Sequence, residues 1–139
     1  MANALYSSYR NLLGTTGLNL DSEDIRVILI DLADYTYSAA HDFLDDVPGG
    51  ARVATSATLA STTFGTVAAG VFDAADVTLS SVTGDPSEAL ILYEHTGGAD
   101  SARRLIAYID TGVTGLPVTP NGGNITIAWN ASGIFSLGG

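Results

Sequence analysis

The run Ile25-Arg26-Val27-Ile28-Leu29-Ile30-Asp31 constrains this chain more than any other feature of it. It is nearly continuous in apolar residues, rich in β-branched side chains, and too short for a helix. Branching at Cβ restricts rotamers on a helix and suits a pleated surface. The run therefore predicts a strand buried on both faces, or close to it. Such a strand needs a sheet around it, and the chain supplies partners. Residues 88–94 and 103–110 read as strands joined by the loop Thr96-Gly97-Gly98-Ala99-Asp100, which makes a hairpin. Ile125-Thr126-Ile127-Ala128-Trp129 alternates cleanly, with Ile125, Ile127 and Trp129 on one face. Residues 51–59, 61–67 and 77–82 read as weaker strands, and 134–137 as an edge strand.

Turn chemistry separates these runs. Gly84-Asp85-Pro86 is a turn signal, and residues 70–76 read as a turn leading into the strand at 77. Residues 112–123, with two prolines and four glycines, make an irregular connection. Asp34-Tyr35-Thr36-Tyr37 extends the sheet or begins a loop. Residues 39–47 suit one or two helical turns, ended by Pro48-Gly49-Gly50. Near the N-terminus, residues 3–13 predict a short helix with Leu5, Tyr9, Leu12 and Leu13 on one face. Gly14 stands where a left-handed residue ends a helix cheaply, and residues 15–20 form a loop. At 139 residues and 14.2 kDa the chain is one domain with one modest core. The expected fold is mainly β: a single-domain β-sandwich or barrel-like antiparallel sheet over 21–139. A short helix within 1–14 stands apart from it.

Composition narrows the function classes. Fifteen acids against five arginines, with no lysine, give a formal charge of −10. Nucleic-acid binding needs cations to replace the phosphate counterions, and anionic membranes need the same. Neither partner is expected. Arg103-Arg104, the one adjacent pair, reads as a solvated edge. The longest apolar runs fall far below the roughly 18 residues of a membrane span. Zero cysteines exclude a disulfide framework, a thiol nucleophile and a cysteine-ligated metal. The first residues show no basic region followed by an apolar stretch, so no signal peptide is expected. Synthesis in a cytoplasm follows, with the product staying there or joining a particle assembled there.

Candidate chemistry is sparse. His41 stands with Asp42, Asp45 and Asp46, and a carboxylate can orient an imidazole as a general base. No Gly-x-Ser-x-Gly elbow supports a serine nucleophile, and the cluster reads as solvated or capping. His95, beside Glu94 and before Thr96-Gly97-Gly98, reads as a turn residue. Calcium, which takes oxygen ligands, suits Asp42-Asp45-Asp46 or Asp73-Asp76 better than zinc suits two distant histidines. Neither group has the spacing of an EF-hand, and turn or backbone bonds account for Asp73 and Asp76. No catalytic, cofactor-binding or metal residue is assigned. The stripe Leu5, Tyr6, Tyr9 and Leu12 either covers one end of the sheet or docks on a neighbouring subunit. A helix this short is not stable alone and must pack on something.

Several segments together carry a resemblance. They are Ile25 to Asp31 followed by Ala33-Asp34-Tyr35-Thr36; His41-Asp42-Phe43-Leu44-Asp45-Asp46-Val47-Pro48; Ala51-Arg52-Val53-Ala54; Gly70-Val71-Phe72-Asp73-Ala74-Ala75-Asp76-Val77-Thr78; Ala89-Leu90-Ile91-Leu92-Tyr93; Leu105-Ile106-Ala107-Tyr108-Ile109-Asp110; and Gly115-Leu116-Pro117-Val118-Thr119-Pro120-Asn121-Gly122-Gly123-Asn124-Ile125-Thr126-Ile127. Over nearly its whole length the chain resembles small virion structural proteins of tailed bacteriophages. The resemblance implies a non-enzymatic building block without cofactors, most of all a capsid decoration (cement) protein. Such a protein binds the major capsid protein and itself, often as a trimer, on the outer capsid surface. It adds burial across seams and so stabilises the assembled state by mass action. The acidic surface suits an exterior position away from packaged DNA. A tail or head-fibre component is the alternative, followed by a calcium- or carbohydrate-binding adsorption module. An enzyme comes last, and its sign would be a pocket holding His41 or His95 with a perturbed proton affinity. Where similar chains often end in a basic residue near the final leucine, this one ends Phe135-Ser136-Leu137-Gly138-Gly139.

Overall fold

The computed structural model describes residues 3–13 and 24–136. Its centre is an antiparallel five-stranded sheet ordered β1-β8-β7-β2-β3. The strands are β1 (Ala4–Leu5), β2 (Ile25–Ile30), β3 (Arg52–Thr55), β7 (Ala89–Glu94) and β8 (Leu105–Ile109). β2 lies between β3 and β7 and is buried on both faces save at the half-buried Arg26, as its nearly continuous apolar run requires. Six residue pairs from Ile25↔Glu94 to Ile30↔Ala89 join β2 to β7, and the hairpin β7–β8 continues the sheet.

Alternation along the strands divides the core in two. Val27, Leu29, Leu90, Leu92 and Ile109 face one layer, while Ile28, Ile30, Ile91 and Tyr93 face the other. A bulge in β8 adjusts this code. Leu92 pairs with Ala107 and Tyr93 with Leu105, leaving Ile106 as the extra residue. Ile106 and Ala107 then join the first core, and Leu105 and Tyr108 the second.

The first core is closed by two small antiparallel sheets. One is ordered β10-β5-β4, from β10 (Phe135–Ser136), β5 (Val71–Asp73) and β4 (Thr63–Phe64). The other pairs β6 (Val77–Leu79) with β9 (Ile125–Ile127). Phe72, Leu79, Ile125, Ile127, Trp129 and Ile134 supply its side chains. The Trp129 indole N–H donates to the Ala75 carbonyl at 3.0 Å, so its polar atom is satisfied. The second core is closed by the segment after β2, through Tyr35, Leu44, Val47 and Ala51. Two short 3-10 turns, Leu44–Asp46 and Gly49–Ala51, shape that segment. The result is mainly β, antiparallel and sandwich-like, with sheets that do not close into a barrel and, among the described residues, one α-helix, α1 (Ser7–Leu13).

Local details differ from the sequence expectation. The helix begins at Ser7, because Ala4–Leu5 pairs with Tyr108 and Ala107 instead. Asn3 completes that pairing: its Oδ1 accepts the amides of Asp110 (2.7 Å) and Thr111 (3.0 Å). Nor does α1 stand apart, since Tyr9 is fully buried in the first core with its ring edge-on to Phe135. Residues 70–76 contain the strand β5 rather than a turn alone, and residues 51–59 keep strand pairing only over Arg52–Thr55. Gly49-Gly50 form part of a 3-10 turn instead of only ending one. The expectations for Gly14, residues 15–23 and residues 137–139 lie outside the described residues.

Candidate interaction surface

Among the residues of the N-terminal stripe, Tyr6 and Tyr9 are fully buried and Leu5 packs against the first core. Leu12 is half-buried and Leu13 exposed. The stripe therefore covers its own sheet. Tyr6 and Tyr9 have no surface to give a partner, and only the outer end of α1 keeps any.

Both histidines are held by tyrosines. His41 Nδ1 lies 2.9 Å from the Tyr35 hydroxyl, which lies 2.8 Å from the buried Tyr6 hydroxyl. His95 Nδ1 lies 2.9 Å from the Tyr93 hydroxyl. Burial, then the nearby Arg26 and Arg103 guanidinium groups, hold the His95 imidazole below its ordinary pKa. Neither histidine lines either of two clefts on the described surface. These are about 450 Å³ beside Leu5, Arg10, Tyr108 and Phe135, and about 310 Å³ beside Asn3, Val113, Asn130 and Ile134.

The arginines act as clamps. Arg52 donates to the carbonyls of Leu44 and Val47 and to Asp100 Oδ2 at 2.8 Å, fastening the segment over the second core. Arg103 donates to the Thr96 carbonyl at 3.0 Å. Arg104 reaches Ser8 Oγ at 2.8 Å and stands over the Phe43 ring. The Arg103-Arg104 pair is thus half-buried and engaged rather than a solvated edge.

Two acidic groups bring three carboxylate oxygens within 4.8 Å of one another: Asp42, Asp45 and Asp46, and Asp31, Asp34 and Asp85. The donors are of the kind that calcium takes. In the first group the Asp42 amide donates to Asp46 Oδ2 at 2.9 Å. That bond, chiefly, holds the Asp46 carboxyl below the usual range. Asp73 and Asp76 form no such group among the described residues; Asp76 Oδ1 accepts the Trp129 amide at 3.0 Å.

Charge is divided between the layers. Residues 53–87 and 111–136, which build the layer over the first core, hold three charged side chains, Asp73, Asp76 and Asp85, and no cation. Residues 24–52 and 88–110 hold fourteen. Of the three, Asp85 turns back toward Asp31 and Asp34, and Asp76 is bonded to Trp129. Apart from the half-buried Asp73 and the exposed Asp76, the small-sheet layer faces outward with Thr, Ser, Ala, Asn and Gly, among them the hydroxyl pair Thr78–Thr126 at 2.9 Å. From it projects the β4–β5 hairpin, whose Phe64 and Val67 are 37% and 45% exposed, the exposed large apolar side chains among the described residues besides Leu13.

Sequence reading missed Phe64 and Val67 as surface residues. The available signal was a stretch from Val53 to Phe72 without one charged residue, in a chain that carries twenty. Compared with models of known protein families the chain matches none, and compared with curated proteins it gives no significant match.

Proposed function

We propose that the protein is a structural component of a tailed-phage particle, most specifically a decoration protein that stabilises the head. In this reading it binds the major capsid protein and copies of itself. The observation that supports it is the segregation of charge between layers. A chain of −10 that keeps one layer almost free of ionised groups has a surface on which proteins can meet without stranding buried charges. The exposed Phe64 and Val67 add apolar area at its tip. The acidic layer, with its carboxylates on 31–52, is the side suited to solvent. Burial of the uncharged layer in a shell stabilises whatever state makes the contact, by mass action.

Imaging of intact particles tests the reading. Density for this chain spread over the shell supports decoration, and density confined to one vertex or the tail supports the tail or head-fibre alternative. Purified particles lacking the polypeptide overturn both. The Asp42-Asp45-Asp46 group favours a second reading, a calcium-dependent adsorption module. A rise in melting temperature with calcium chloride, abolished by Asp45→Asn, would support that one instead.

A further inference from the structure

We infer that two copies of this chain join through β4, antiparallel across a two-fold axis, so that two three-stranded sheets become one of six strands. The inference rests on the reading of the uncharged layer as an assembly surface, and it names the occupant of that surface. β4 is the outer strand of the order β10-β5-β4. The Gly65 amide donates inward to the Val71 carbonyl at 2.9 Å. Antiparallel alternation then turns the N–H and C=O of Phe64 outward, away from β5. An outward pair of this kind is a template for another strand.

Proteins blunt such edges with charges, prolines or covering loops. The outer edge of β1 is covered in this way: Ser7 donates to the Ala39 carbonyl, and Tyr37 approaches the Leu5 carbonyl. β4 is itself short, at two residues, but its segment adds neither charge nor proline as a guard: residues 53–72 contain neither a charged residue nor a proline. Left-handed residues at Ser61, Gly65 and Gly70 set the hairpin's shape.

Charge selects the partner. Two copies of −10 repel least where the fewest ions meet, and among the described residues the β4 edge is such a place, its nearest charge being Asp73, one strand behind it on β5 opposite Thr63. A cationic partner would be drawn to the carboxylates of the opposite layer. Antiparallel pairing of a strand with itself is self-complementary and closes as a dimer, placing Phe64 of each copy close to the axis.

Sedimentation equilibrium of the full chain over a concentration series tests this. The expected result is a reversible dimer that tightens as sodium chloride rises from about 20 to about 500 mM, because salt screens the like charges outside the contact. Phe64→Glu sets like charges against each other and is expected to weaken the dimer at least about tenfold. Thr66→Asp, at the exposed tip, repeats the test should the first variant fold poorly by circular dichroism. Leu13→Glu on α1 is expected to leave the dimer intact. A single-chain mass throughout, a threefold mass, weakening by salt, or a dimer indifferent to both hairpin variants would overturn the inference. A chain that is monomeric in solution but still bound to particles, and lost from them on Phe64→Glu, assigns the edge to another protein. Particles without the polypeptide sink the particle reading and leave the dimer standing.

Discussion

The hydroxyl of Tyr9 lies fully inside the first core and meets no hydrogen-bond partner among the described residues. Burial pushes its pKa up to about 12. Three residues earlier, Tyr6 is equally buried, but its hydroxyl begins a chain through Tyr35 to His41 at the half-buried rim. Two tyrosines on one short segment thus have opposite energetics. An unmet buried hydroxyl costs about 1–3 kcal/mol, whereas a met one adds about 1 kcal/mol. Tyr9→Phe, which keeps the ring on Phe135, is therefore expected to stabilise the fold by about 1 kcal/mol. Tyr9→Ala, which empties the site, is expected to cost about 3–5 kcal/mol. Chemical denaturation of the three proteins checks both, and a destabilised Tyr9→Phe would show that the hydroxyl is engaged in solution.

At the level of elements, β10 depends on one glycine. Gly133 has a φ of +105°, and a Cβ there would run into the Val71 side chain and stand 3.2 Å from the Phe72 carbonyl. That approach lets Ile134 donate to Phe72 and brings β10 alongside β5. Gly133→Ala should destabilise by well over about 1 kcal/mol, read as a lowered denaturation midpoint, since both backbone angle and space forbid the methyl group. The strands that sequence located well are those whose own pattern decides them. β2 and β7 are apolar except for Arg26 and the terminal Glu94 because both faces are covered, and β9 alternates Ile125-Thr126-Ile127 because one face meets solvent. The elements that escaped are held by distant partners. β1 exists because Asn3 and β8 capture two residues that locally favour helix, and β5 because β4 and β10 flank it. The bulge at Ile106 was equally hidden, since a strand buried on both faces shows no break in alternation. The candidate surface was invisible for a related reason: Phe64 looks like a core residue until a two-residue edge strand leaves it outside.

For the molecule as a whole, acid acts through groups outside the small-sheet layer. The Asp46 carboxyl is held low chiefly by the Asp42 amide, so its contribution is present above the unfolded value of 3.8 and lost as pH falls through the lower folded value. His95 is held below 6.5 by burial and by Arg26 and Arg103. Below 6.5 the unfolded chain takes up the proton first, so stability also falls on acidification. Melting temperature, measured in about 0.5 M salt to screen general repulsion, should be flat between pH 7 and about 9, below the range where unfolded tyrosines lose their protons. It should decline in a first step below 6.5 and a second below 3.8, with His95→Gln removing the first. A melting temperature that climbs between pH 7 and 5 under those conditions contradicts the assignment.

The one-sided placement of ionised groups also gives the molecule a direction. A body with most of its described carboxylates away from one layer carries a permanent electric moment, and a negatively charged neighbour turns the richer side away before anything touches. Two such bodies drifting together in dilute salt rotate blank side to blank side, so the search for register starts from a nearly aligned encounter.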